Sequence, residues 1–238
     1  MLKLQMVAIV TGGSKGIGFA IARALLARGD RVAIGARSAD ELKRAADRLG
    51  GGDRLLTVRA DVRDPAAAER LVGDAVARFG GLDVLVNNAG VGLFANVADM
   101  TDDEWRRVID TNLSGVFYCT RAAIREMRRR GAGFIVNISS LAGKNAFPGG
   151  AAYCGSKAAL NQFSEALMQE LRYDNIRVSY VLPGSVSTGF GDRGIGGEAD
   201  WKLSSEDVAK VVVDLLSHEP RSLPSRVELR PSRPPRKG

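Results

Sequence analysis

Tyr153 and Lys157 stand four residues apart in the run Tyr153-Cys154-Gly155-Ser156-Lys157. If that run opens a helix, both side chains leave one face, a turn apart. A free phenol titrates near ~10 and is a poor acid–base partner at neutrality. A neighbouring ammonium favours the phenolate and brings that value down toward the working range. The same spacing is common on helix surfaces, where it makes no more than a solvated pair. A second stretch with chemical potential lies near the N-terminus, Thr11-Gly12-Gly13-Ser14-Lys15-Gly16-Ile17-Gly18. Glycine there lets backbone approach a pyrophosphate, and a helix starting beyond it offers unpaired N–H groups and partial positive charge. Other chemistries lack their parts. The single histidine, His218, is late in the chain and precedes Glu219-Pro220, so a Ser-His-Asp hydrolase has no convincing base and His218 reads as the polar end of a helix. No cluster of His, Cys or paired acids suggests a catalytic metal.

Holding such groups takes a scaffold, and the chain alternates short β-branched runs with helical patterns. Met6–Thr11, Arg31–Ala36, Leu55–Arg59, Leu82–Asn87, Gly133–Ser139, Ile176–Leu182 and Arg226–Leu229 read as strands. Most are nearly continuous apolar runs, as befits strands covered by helices on both faces. Ser38-x-x-Glu41 and Thr101-x-x-Glu104 have the form of capping boxes, and Asp64-Pro65 supplies an N-cap followed by proline at the first helical position. Residues 16–28 set Ile17, Ala20, Ile21, Ala24 and Leu25 on one face; residues 158–171 do the same with Ala159, Phe163, Ala166, Leu167 and Leu171. The alternation predicts an α/β fold, a doubly wound parallel sheet of Rossmann type with helices on both faces. Residues 1–230 read as a single domain, and the glycine turn falls between its first strand and first helix, the context that gives it weight.

The turn has the form TGxxxGxG. Together with Asn87-Asn88-Ala89-Gly90 after the fourth strand, Ser140 placed 13 residues before Tyr153, and Tyr-x-x-x-Lys, it resembles the short-chain dehydrogenase/reductase family over residues 5–217. Similarity to 3-oxoacyl-thioester reductases and small carbonyl reductases implies reduction of a ketone or aldehyde. In that resemblance Tyr153 donates a proton to the carbonyl oxygen and Ser140 hydrogen-bonds that oxygen. Lys157 lowers the tyrosine pKa and bonds the nicotinamide ribose, and Asn112 holds a water linking Lys157 to solvent. Ser139 is the competing serine, one place off the spacing and on the other face of its strand. Thr11, Gly12, Ser14, Lys15, Gly16, Ile17 and Gly18 would bind the cofactor phosphates, Asp61 the adenine with Val62 packed near it. Asn88, Ala89 and Gly90 would support the cofactor; Pro183, Gly184, Val186 and Thr188 would border the nicotinamide, with Thr188 near its carboxamide. An acid at the tip of the second strand would bond a ribose 2′-hydroxyl. Here the tip is Arg37, whose fork suits a 2′-phosphate, and Lys15 adds charge, so NADP(H) is expected over NAD(H). The rival readings are an NAD-linked alcohol dehydrogenase of the same family and a nucleotide-sensing protein without turnover. The family also implies a homo-oligomer, a tetramer or a dimer.

Of the 238 residues, 45% are hydrophobic, enough for a large core. No apolar run reaches the roughly 18 residues of a membrane span, the N-terminus lacks a signal-peptide layout, and two cysteines make no disulfide framework. A cytoplasmic protein is expected. The formal charge is +7, but residues 221–238 hold six cations against Glu228, leaving the remainder nearly neutral. Residues 231–238 therefore read as a basic Pro/Arg-rich tail, disordered and solvated rather than a nucleic-acid arm. Residues 189–201 read as a short, glycine-rich mobile lid, with Trp201 packed either on substrate or between helix and sheet.

Overall fold

The computed structural model describes residues 5–188 and 200–234. Seven strands lie side by side in it: β1 (Val7–Thr11), β2 (Arg31–Ala36), β3 (Leu55–Arg59), β4 (Val84–Asn87), β5 (Gly133–Ile138), β6 (Ile176–Pro183) and β7 (Arg226–Leu229). All are parallel, in the order β3-β2-β1-β4-β5-β6-β7. Each predicted strand is present, with ends shifted by a residue or two. Leu82 precedes its strand because Asp83 turns inward there, its carboxylate accepting from Val7 N at 2.7 Å. Ser139 falls just past β5.

Among the described residues seven α-helices cover the two faces: α1 (Gly16–Ala27), α2 (Ala39–Leu49), α3 (Pro65–Phe79), α4 (Asp102–Ile109), α5 (Gly115–Arg130), α6 (Ala151–Leu171) and α7 (Ser205–Ser217). The near-continuous apolar strands are explained by two separate cores. Ile9, Leu85 and Ile135 face α3, α5 and α6, where Leu71, Met127 and Leu167 meet them. Their strand neighbours Val10, Val86 and Val136 face α1, α2 and α7, where Ile21, Leu25, Leu42 and Val212 lie. Period-two alternation is thus apolar on both sides.

Local signals fix the helix starts. Asp64 caps α3 through Ala66 N with Pro65 behind it, and Thr101 and Glu104 close a full capping box on α4. Ser204 and Asp207 close another on α7. His218 ends α7, as its place in the sequence suggested. At the opposite end, Pro231, assigned from sequence to the tail, lies over Gly184: a Cβ there would sit 2.9 Å from its ring. The rest of the expected tail is described only to Pro234, and residues 235–238 lie outside the described residues.

Strand order reverses between β1 and β4. Crossovers on the two sides diverge at that point and leave a crevice at the carboxyl ends of the strands, where ligands bind in open α/β sheets.

Candidate active site

The crevice is built first from backbone. Gly12 has φ +64°, and a Cβ on it would lie 3.0 Å from Ala89 Cα; a Cβ on Gly18 would lie 2.3 Å from Gly12 O. The turn after β1 thus sits directly on the turn after β4. Thr11 and Asn88 fasten the two. Thr11 Oγ1 accepts from Asn88 N and Ala89 N, both at 3.0 Å, and Asn88 Nδ2 donates to Thr11 O and Gly12 O at 3.0 and 3.2 Å. Helix α1 starts here at Lys15 with no side-chain cap and no acid in its first turn. Its first N–H groups therefore keep their capacity for an anion, and the dipole adds positive charge. Those residues fit a dinucleotide pyrophosphate.

Farther along the crevice Arg37 follows β2; the Arg63 fork holds the Asp61 carboxyl below the usual range, and the Arg37 charge adds to this. Asp61, expected at the adenine, is gripped by Arg63 at 2.6–3.1 Å. Val62 is buried against Gly115 at the start of α5. Lys15 and Ser14 turn toward Glu41 of α2, at 3.1 and 3.2 Å. Ile17 packs against the core beneath α1. Thr188 brings its methyl toward Gly16, at the mouth of α1, while Val186 pairs with Leu203 and Gly184 N donates to Leu229 O at 2.8 Å. Pro183 closes β6.

The reacting end lies where α6 meets β5. Tyr153 and Lys157 do share one face of the first turns of α6, and Lys157 Nζ is 5.9 Å from the centre of the Tyr153 ring. Lys157 is buried and donates to Ile138 O at 2.9 Å. Burial pulls its pKa down to about 8. Tyr153 differs from the sequence expectation: its phenol is pushed up rather than down. Burial is the larger cause, and a hydrogen bond with Ser140 holds it back only in part. Lys157 is itself hydrogen-bonded to the Ile138 carbonyl.

Of the two adjacent serines, Ser140 reaches the phenol and also accepts from Ala142 N at 3.1 Å. Ser139 faces the other way, donating to Asn161 Oδ1 at 2.6 Å. Asn112 sits in a π-helical turn, Asp110–Ser114, between α4 and α5. Such insertions in a helix recur at functional sites. Its Oδ1 accepts from Val91 N at 2.8 Å, and its Nδ2 donates to Val91 O at 2.9 Å and Ser156 Oγ at 3.0 Å. Both donors are spent on protein, so Asn112 ties the chain after Gly90 to α6. One Oδ1 lone pair remains for a water. Gly90 lets these groups converge: a Cβ on it would be 3.3 Å from Asn112 Oδ1 and 3.7 Å from Lys157 Nζ.

Sequence reasoning did not single out the aromatic wall. Phe94 meets the Tyr153 ring edge-on with centroids 5.6 Å apart, and Phe147 lies 5.7 Å from Phe94. Neither belongs to a motif; their position shortly after Gly90 and shortly before Tyr153 was the available signal. Glu41 was likewise read as a helix cap alone. Of the expected lid, residues 189–201, positions 189–199 lie outside the described residues; Trp201 at its end carries Lys202 Nζ 5.9 Å from its ring centroid. Among the described residues no cluster of His, Cys, Asp or Glu could hold a metal, and no helix is long and apolar enough to cross a membrane.

A parallel sheet whose strand order reverses, with a glycine turn at the switch point and a half-buried tyrosine and buried lysine beside it, defines a class, and the profile of the short chain dehydrogenase family matches residues 6–193. The chain belongs to that family and is an oxidoreductase. An uncharacterized oxidoreductase of Methylorubrum extorquens is 41% identical over 93% of this chain and 94% of its own. The 3-oxoacyl-acyl-carrier-protein reductase of Salmonella typhimurium is 41% identical over 76% of this chain and 74% of its own. An alcohol dehydrogenase from the archaeon Thermococcus sibiricus, solved with 5-hydroxy-NADP, superposes with a TM-score of 0.89 at 30% identity, covering 98% of this chain and all of that one.

Proposed function

We propose that this chain reduces a ketone or aldehyde, a 3-oxoacyl thioester among the candidates, to the alcohol at the expense of NADPH. The observation that carries the reading is the half-buried Tyr153, its phenol bonded to Ser140 and one helical turn from the buried Lys157. A bound nicotinamide cofactor supplies the hydride that reaches the carbonyl carbon. Tyr153 gives its proton to the carbonyl oxygen in the same step, and burial favours this by keeping the phenol protonated at neutral pH. Ser140 donates a hydrogen bond to that oxygen as charge develops on it. Lys157 would hold the nicotinamide ribose. It also returns a proton to Tyr153, drawing on solvent through a water accepted by the remaining Asn112 lone pair. Thr188 and the 183–186 segment would border the nicotinamide, and Gly12 to Gly18 with the α1 terminus would hold the pyrophosphate.

Arg37 at the β2 tip and Lys15 in the glycine turn support the phosphorylated cofactor, as does the NADP analogue in the archaeal relative. A cytoplasmic location accords with two buried free cysteines. A homo-oligomer accords with a shallow apolar surface where Leu113, Phe117 and Tyr118 lie beside Ala159 and Phe163, with Phe117 41% exposed. We take residues 1–230 as one domain.

The test is NADPH oxidation against a carbonyl panel containing an acetoacetyl thioester and a 1,2-diketone, with NADH in parallel. Turnover with NADPH that drops by about a hundredfold to ten-thousandfold in Tyr153→Phe, while NADPH binding persists, supports the reading. Equal turnover in the mutant removes Tyr153 as the acid. NADPH binding without turnover on any carbonyl moves the reading to an alcohol substrate or to the sensing class.

A further inference from the structure

Glu41 stands at the third position of α2, where Ser38-x-x-Glu41 predicts a capping box. Half of that box forms, with Ser38 Oγ accepting from Glu41 N at 3.2 Å. The reciprocal arm does not. The carboxylate turns instead to the glycine turn, Oε2 accepting from Ser14 Oγ at 3.2 Å and Oε1 from Lys15 Nζ at 3.1 Å. The boxes on α4 and α7 close both arms, so the diversion is particular to α2. One carboxylate thereby occupies two donors at the phosphate-binding end of the crevice, in the turn that faces the β2 tip and Arg37. Lys15, with Ser14 assisting, keeps the Glu41 carboxyl below its usual range, so it is anionic at neutral pH.

We propose that Glu41 is an internal stand-in for the adenosine 2′-phosphate, holding Lys15 and Ser14 in the cofactor-free chain and yielding them, toward the Ser38 N–H, when the phosphate arrives. The proposal rests on the NADP(H) reading given above. A phosphate and a carboxylate sharing one ammonium stand close enough to repel, so one must leave. Glu41 has a second place to go, the unclosed arm of its own capping box. It therefore offsets part of what Arg37 and Lys15 contribute and narrows the preference for the phosphorylated cofactor. NAD(H) meets no such conflict, because a ribose hydroxyl can donate to the carboxylate. Glu41 is in this sense a specificity-determining residue.

Adenosine 2′,5′-bisphosphate and 5′-AMP probe this end without the nicotinamide. Their affinities, and those of NADPH and NADH, are compared by calorimetry for the native chain and Glu41→Gln. Glutamine keeps the size and still closes a capping box, and removes the charge. The expected result is bisphosphate and NADPH binding about three- to tenfold tighter in E41Q, from a freed partner and a lost repulsion. 5′-AMP and NADH bind equally or more weakly, and in a Lys15→Met background the E41Q gain falls below about twofold. Bisphosphate binding that is unchanged or weaker in E41Q, in a native chain that prefers NADPH, overturns the proposal and leaves Glu41 a brace for the turn. A native chain with no preference for NADPH over NADH removes the cofactor reading itself, and the stand-in falls with it.

Discussion

At the scale of single residues, Lys157 carries the greatest tension between stability and use. Its ammonium is buried with one carbonyl partner, and burial brings its pKa to about 8. A lysine lowered in the folded state costs stability wherever it is charged in both states, that is, below about pH 8. The cost is relieved as pH rises from about 8 to the unfolded value of ~10.4. Lys157→Met is therefore expected to stabilise the cofactor-free chain at pH 7 by about 1–2 kcal/mol, after allowing for the Ile138 carbonyl left unpaired, a rise in Tm of about 3–6 °C. Thermal melts at pH 7 and pH 10 check it: the gain should shrink at the higher pH, and activity should be lost at both. A mutant less stable than the native chain at pH 7 would mean the lysine braces the fold. The same residue shows what a sequence can carry. Its spacing from Tyr153 and its helix face were readable from four-residue periodicity alone. Where its charge points was not, because that depends on the Ile138 carbonyl, which arrives from a strand nineteen residues earlier. The upward shift of Tyr153 was missed for the same reason, burial being a sum over neighbours that no motif lists.

At the scale of elements, the strands were legible almost to the residue, because being apolar on both faces leaves a run that few other structures tolerate. The π-helical turn at Asp110–Ser114 was not legible, since its extra residue is stabilised by Asn112 bonding to Val91 and Ser156 in other elements. Beneath the site a buried polar chain joins sheet to helices. Asn87 Nδ2 donates to Thr120 Oγ1 on α5 and Asn137 Oδ1 on β5, and Asn137 Nδ2 donates to Ser164 Oγ on α6. It fixes α6, which carries Tyr153 and Lys157, and α5 against β4 and β5. Asn137→Ala strands the partners on either side, and denaturant titration should find it less stable by about 2–3 kcal/mol. Activity should fall further than stability requires, through displacement of α6. A loss below about 0.5 kcal/mol would mean the chain is a bystander.

At the scale of the whole molecule, the apolar surface around Phe117 and Phe163 predicts self-association through α5 and α6. Phe117→Glu places a charge in its middle, and sedimentation at micromolar concentration should show a smaller species than the native chain; identical sizes would move the interface elsewhere. Sequence reasoning expected an oligomer from the family and had no means to place it, since Phe117 and Phe163 come together only when α5 and α6 lie side by side. The order of the strands has a consequence of another kind. β1 is synthesised first yet lies mid-sheet, and its second edge is covered only by β4, whose Asp83 flank binds Val7 across 76 residues of chain. On the ribosome, β1, β2 and β3 can pair early, while an apolar edge stays open for the several seconds needed to translate the next strand to take it. The switch point that opens a crevice for the cofactor is thus also a seam that the nascent sheet must hold open until β4 emerges, and a chain stalled before residue 84 presents a sticky half-sheet for chaperones to shield.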